Sequence, residues 1–156
     1  MSHTSSQLNH PMTPAAVTTA RPSTAFIYAS WFALFAGAGA YLVGLVNATM
    51  ALNEKGYYFT VLLFGLFAVV SLQKTVRDKL EKIPVTGLYY GLAWFATLLP
   101  IVLLLVGLWH ATLLLSEKGF YAMAFLLALF GAIAVQKNTR DMRAVPGSAT
   151  VISDSE

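Results

Sequence analysis

Asn53-Glu54-Lys55-Gly56-Tyr57-Tyr58 decides the reading of this chain, because the stretch occurs twice. It returns as Ser116-Glu117-Lys118-Gly119-Phe120-Tyr121, with Glu54 and Glu117 63 positions apart. The same offset carries Gln73-Lys74-Thr75-Val76-Arg77-Asp78 onto Gln136-Lys137-Asn138-Thr139-Arg140-Asp141. It also carries Trp31-Phe32-Ala33 onto Trp94-Phe95-Ala96, and Gly44-Leu45 onto Gly107-Leu108, with no gap anywhere. A gapless repeat of this kind means that one structural unit was duplicated and packs against its copy.

Composition names the solvent. Apolar residues are 57% of the chain and charged residues 11%. Soluble domains run at roughly 45–50% and about 25%. A chain this short leaves too much surface wet to hide that surplus in a water-soluble core, so the lipid bilayer is the expected partner. The absence of cysteine excludes disulfides, thiolate metal sites, iron–sulfur clusters and thiol nucleophiles. The basic residues flank apolar segments and form no basic domain, so no nucleic-acid partner is expected.

Four apolar segments run from about Thr24 to Met50, Tyr57 to Gln73, Leu88 to Leu115, and Phe120 to Gln136. Their lengths bracket the roughly 17–25 residues that a helix needs to cross the hydrocarbon. Lipid demands internally paired backbone, which makes them helices. The second and fourth are short and should stand nearly upright, with Lys74 and Lys137 reaching to the headgroups. The fold class expected is all-α: an integral membrane four-helix protein of two parallel repeats of a transmembrane helical hairpin. Its expected parts are a disordered tail over 1–23, a first membrane repeat over 24–80, a linker over 81–87, a second repeat over 88–143, and a disordered tail over 144–156. Ala51 to Gly56 and Ser116 to Gly119 read as tight turns, with Asn53 and Ser116 as helix N-caps and Gly56 and Gly119 permitting sharp re-entry.

Basic residues orient the chain. Arg21, Lys74, Arg77, Lys79, Lys82, Lys137, Arg140 and Arg143 fall on one face, and only Lys55 and Lys118 on the other. The positive-inside rule therefore places both termini in the cytoplasm. Each repeat crosses twice, so both copies enter from the same side, unlike the inverted repeats of many transporters.

The candidates for function are few. Lys74, Arg77, Lys137 and Arg140 can contact anionic lipid or a cytoplasmic partner, although Lys74–Asp78 and Lys137–Asp141 pairs one turn apart also suit a plain topological anchor. Glu54 and Glu117 are polar candidates at the opposite face, more simply read as parts of a turn. His110, which replaces Asn47 in the second copy, is an ionisable group near a span end. Small residues at four-residue spacing, Ala36-Ala40-Gly44-Ala48 and Ala124-Ala128-Ala132, permit close helix packing within one subunit or across a homodimer. Gly37 aligns with Pro100, a tolerated kink or a broken helix. His3 and His10 lie in the first tail and are discounted as a metal site. No acid or base sits in the middle of any span, which disfavours a proton-coupled exporter. No cofactor or metal is expected.

Two-span units, the Glu-Lys-Gly-aromatic turn and the Gln-Lys-x-x-Arg-Asp ending together resemble the YiaA/YiaB family of bacterial inner-membrane proteins. The resemblance covers about residues 24 to 143. It implies a cytoplasmic-membrane location and a tandem of two-helix domains, and it carries over no catalytic or binding residue. The role expected is that of a structural or accessory component, tied to envelope stress or to a larger partner. The alternative is a small transporter or channel formed between the repeats or in a homodimer, whose polar path would touch His110, Asn47 and Thr97. With no nucleophile, metal cluster or phosphate loop, an enzyme is not expected.

Overall fold

The computed structural model describes residues 22–144, with side chains to 142. Four helices follow one another: α1 (Thr24–Asn47), α2 (Leu52–Leu80), α3 (Gly87–His110) and α4 (Leu115–Ala144). All four are long and apolar enough to cross a membrane. Most of the two expected tails lies outside the described residues.

α2 and α4 are 29 and 30 residues long, well beyond their apolar stretches. The expectation of two short spans is corrected in both directions. Asn53 to Gly56 and Ser116 to Gly119 belong to the first turns of α2 and α4. Lys74 to Leu80 continues α2, so only Glu81–Thr86 connects α2 to α3. In that connection Lys82 has a φ of 58°. Ile83 N–H donates to the Asp78 carbonyl at 2.9 Å, the six-to-one bond of a Schellman ending, and Pro84 prevents the helix from resuming. Lys79 Nζ sits 4.0 Å from the centre of the Tyr90 ring, tying the end of α2 to the start of α3.

The turns themselves are Ala48–Ala51 and Ala111–Leu114, and both are stabilised by the repeated Glu-Lys pair. Ala51 N–H donates to Glu54 Oε2 at 3.0 Å, and Leu114 N–H to Glu117 Oε2 at 2.8 Å. Each glutamate thus satisfies an orphan donor at a helix start, where negative charge is also favoured. Lys55 Nζ donates to the Val46 carbonyl at 2.8 Å, and Lys118 Nζ to that of Trp109 at 3.4 Å, covering the open end of the preceding helix. Asn53 and Ser116 are therefore not the caps. No glycine has a positive φ among the described residues, so Gly56 and Gly119 are not there for a sharp re-entry.

The partners in the bundle are not the ones that short turns suggest. α1 lies along α4 for most of its length and α2 along α3, while α2 and α4 meet at the centre; α1 barely touches α2, and α3 barely touches α4. Each hairpin is splayed, and its first helix packs on the second helix of the other repeat. A pseudo-two-fold axis follows, running between the parallel α2 and α4. On that axis repeat-mates meet: the Tyr58 and Tyr121 rings stack with centroids 6.2 Å apart.

The core follows this exchange. Tyr41 and Leu45 of α1, Tyr58, Val61 and Leu62 of α2, Leu104 and Leu108 of α3, and Tyr121, Phe125 and Leu129 of α4 are buried together. Gly37 admits the backbone of α4 at Ala124 and Ala128, and Gly131 admits that of α1 at Ala33 and Leu34. The ridge Ala124-Ala128-Ala132 is buried in this seam, which is packing within one chain. α3 runs unbroken through the buried Pro100, so the broken-helix reading is set aside. Phe32, Phe35, Phe67 and Trp109 face outward and are 66–81% exposed. An apolar surface of this extent suits lipid and not water.

Candidate functional site

The exchange of partners gathers the polar candidates at the two ends of the bundle. At the end that carries the turns, a cleft of about 340 Å³ is lined by Asn53, Glu54, Tyr57, His110 and Glu117 among others. His110 is the exposed last residue of α3. A second cleft of about 340 Å³ lies beside Asn47, Ser116, Glu117 and Phe120, the repeat-mates of the first set. The two are related by the pseudo-two-fold axis but differ in chemistry. His110 faces one where Asn47 faces the other, and Asn47 bonds its own helix, donating to the Val43 carbonyl at 2.8 Å. One oxygen of each glutamate is engaged by a backbone N–H, as described above. Among the described residues no group of three or more histidines and carboxylates gathers to hold a metal ion.

At the opposite end α2 and α4 bring Gln73, Lys74, Arg77, Gln136, Lys137 and Arg140 around one small notch of about 20 Å³. All four cations singled out in the sequence thus converge on the axis. Arg77 Nη2 lies 2.9 Å from Asp78 Oδ1 and 3.8 Å separates its Nε from Glu81 Oε1. Arg140 Nη2 lies 2.9 Å from Asp141 Oδ1. The pair one turn apart forms in the second copy, where Lys137 Nζ is 3.6 Å from Asp141 Oδ2, and not in the first, where the salt bridges leave Lys74 without Asp78. Pairs this exposed hold their partners weakly.

Two features were not legible as sites in the sequence. The Oε1 atoms of Gln73 and Gln136 are buried and accept no hydrogen bond, while Gln73 Nε2 donates to the Ile133 carbonyl across the axis at 3.2 Å. Tyr41 is wholly buried, and its hydroxyl donates to the Tyr58 carbonyl at 3.1 Å. Its ring meets that of Tyr121 edge-on at 5.4 Å. The available signal was a tyrosine deep in an apolar segment whose repeat-mate, Leu104, is aliphatic. Two other buried polar groups join helices. Thr97 Oγ1 donates to the Ala93 carbonyl at 2.9 Å and lies 3.2 Å from that of Ala68. Asn138 Nδ2 donates to Ser30 Oγ at 2.8 Å, which donates in turn to the Phe26 carbonyl at 2.7 Å.

Comparison with known proteins fits this geometry. The model of the yiaA/B two helix domain matches twice, over residues 26–78 and 89–141, one match for each splayed hairpin. Over 134 residues the chain is 57% identical to Inner membrane protein YiaA of Escherichia coli (strain K12), covering 86% of this chain and 92% of that relative. Over 62 residues it is 39% identical to Uncharacterized membrane protein YubF of Bacillus subtilis (strain 168), covering 39% of this chain and 71% of that relative. No solved structure matches the chain. Two domain matches covering most of its length, each on one repeat of a four-helix membrane bundle, place the chain in the YiaA/B two-helix-domain family.

Proposed function

We propose that this protein is a non-enzymatic structural or accessory component of the bacterial cytoplasmic membrane, with both termini on the cytoplasmic side. The location rests on its likeness to a relative named as an inner membrane protein and on the four candidate spans. The orientation rests on Lys74, Arg77, Lys79, Lys82, Lys137 and Arg140 at the end opposite the turns.

The observation that carries the functional reading is the apolar interior. A transporter or channel needs a polar path from face to face, and Thr97 would be its midpoint. Here Thr97 is buried, and its single hydroxyl proton goes to the Ala93 carbonyl, with that of Ala68 also within 3.2 Å. The layers between it and the turns hold leucine, valine and aromatic rings. Neither cleft at the turn end reaches past the connecting turns, the first two turns of α2 and α4, and the facing ends of α1 and α3. Purified protein reconstituted into vesicles should leave preset proton and potassium gradients decaying as slowly as in protein-free vesicles. Decay that rises in proportion to protein would overturn the non-transport reading.

Orientation is tested separately, because a chain without cysteine accepts single reporters. Asn53→Cys and Ser116→Cys, both at exposed positions, should react in intact cells with a maleimide that cannot cross the bilayer. Lys79→Cys should react only after the cells are opened. The opposite pattern would invert the topology.

A further inference from the structure

We infer that the notch between α2 and α4 is a seat for the headgroup of a glycerol phosphodiester lipid. Three observations converge on this. The first is charge: Lys74, Arg77, Lys137 and Arg140 surround one opening on the axis. Asp78, Glu81 and Asp141 offset three of the four positive charges, but among the described residues the salt bridges leave Lys74 without a carboxylate partner. An arginine with one side on a carboxylate still presents free N–H donors to a phosphate oxygen.

The second is the pair of buried acceptors. Among the described residues three buried side-chain oxygens accept no hydrogen bond; Gln73 Oε1 and Gln136 Oε1 belong to residues that line the notch, and Asn138 Oδ1 does not. A bare phosphate diester cannot satisfy the two glutamine oxygens, since it has no proton to donate. A headgroup amine cancels the charge of its own phosphate, leaving a lipid with no net charge for the cations to attract. Hydroxyl groups attached to the phosphate satisfy both demands: the anion meets the cations, and the O–H groups donate to the two glutamine carbonyls. A glycerol headgroup carries two such hydroxyls, matching two acceptors related by the pseudo-two-fold axis.

The third is depth and size. Lys74 stands twenty positions beyond Glu54 on one continuous helix, which is roughly 30 Å at 1.5 Å per residue. That equals the thickness of the hydrocarbon layer, so with the turns at one interface the notch lies at the other, level with lipid phosphates. Its volume of about 20 Å³ admits a hydroxyl or a phosphate oxygen and excludes a peptide side chain or a nucleobase. The site is thus a cup that a headgroup covers from the bilayer side, as basic pockets between membrane helices do.

The test uses the full chain, purified in mild detergent and exposed to defined lipids, with native mass spectrometry as the readout. Phosphatidylglycerol should be retained at one copy per chain, at least tenfold better than phosphatidylethanolamine. It should also be retained better than phosphatidylmethanol, which has the same charge and no hydroxyl. Lys74→Gln with Lys137→Gln, both exposed positions, should lower retention of both anionic lipids about tenfold without moving the thermal melt. Gln73→Leu with Gln136→Leu should abolish the preference for phosphatidylglycerol over phosphatidylmethanol. Free glycerol phosphate at millimolar concentration should not displace the lipid. Equal retention of the zwitterionic lipid, retention unchanged in the lysine variant, or displacement by free glycerol phosphate would each overturn the proposal. So would a notch that holds water alone, with no lipid retained.

Discussion

Residues 1–83 and 84–156, expressed together as separate chains, should assemble into a stoichiometric complex that a tag on either piece recovers. The reason is the exchange of partners. α1 has its main contact on α4 and α2 on α3, so a cut in the Glu81–Thr86 connection severs no helix contact and leaves both principal seams between the fragments. Ser30 would still meet Asn138, and Tyr41 would still lie against Tyr121. Two hairpins folded on themselves would give the contrary result, fragments that insert independently and do not co-purify. Effects here approach all or none, because nearly every buried residue of α1 faces the other fragment. The measurement is tag capture from detergent-solubilised membranes followed by gel filtration against the intact chain.

Gly131→Leu should be the most damaging single substitution in the bundle, with Gly37→Leu next. A Cβ at 131 meets backbone atoms of Ala33 and Leu34, and one at 37 meets backbone atoms of Ala124 and Ala128. Backbone cannot rotate aside as a side chain can, so the α1 and α4 axes must part along the seam. Overpacking alone costs about 1–3 kcal/mol, and a branched side chain at a backbone contact belongs at the top of that range. At roughly 2–4 °C per kcal/mol for a chain of this size, the melt in detergent should fall by about 5–10 °C. Gly39→Leu is the matched control. It lies two positions from Gly37 on the same helix with nothing within 4 Å of its would-be Cβ, and it should leave the melt unchanged. The corresponding seam between α2 and α3 has Pro100 where α1 has Gly37, and Ala68 where α4 has Gly131. Lacking that glycine pair, it is the less extensive of the two. The halves share a topology but not a packing.

Much of this was legible in the sequence for physical reasons. Apolar runs between charged ends give spans, and the 63-residue offset gives the repeat. The repetition of Glu54-Lys55 as Glu117-Lys118 marks the turns as devices, though the residues that cap the helices lie elsewhere than expected. Asn53 and Ser116 have the right chemistry for caps, but a glutamate three residues into the helix reaches back to the first orphan N–H and shifts the helix start upstream. The partner exchange was hidden because a four-residue turn fixes only that two helix ends are close, and says nothing of their far ends. The convergence of Lys74, Arg77, Lys137 and Arg140 was hidden for the same reason, since it depends on α2 and α4 running side by side at the axis. Each cation could be named from its place beside a span; that all four share one opening follows only from the topology.

The interlocked order of the helices also governs how the protein is made. Ser30 and Asn138 are 108 positions apart. At about 5–20 residues per second, α1 leaves the ribosome about 5–20 s before its partner exists. During that interval it stands in the bilayer without α4, its glycine face open to any passing neighbour. Whatever shepherds nascent membrane chains meets α1 in that state, so damage to the α1–α4 seam registers first as loss of newly synthesised chains and only afterwards as a weaker finished protein.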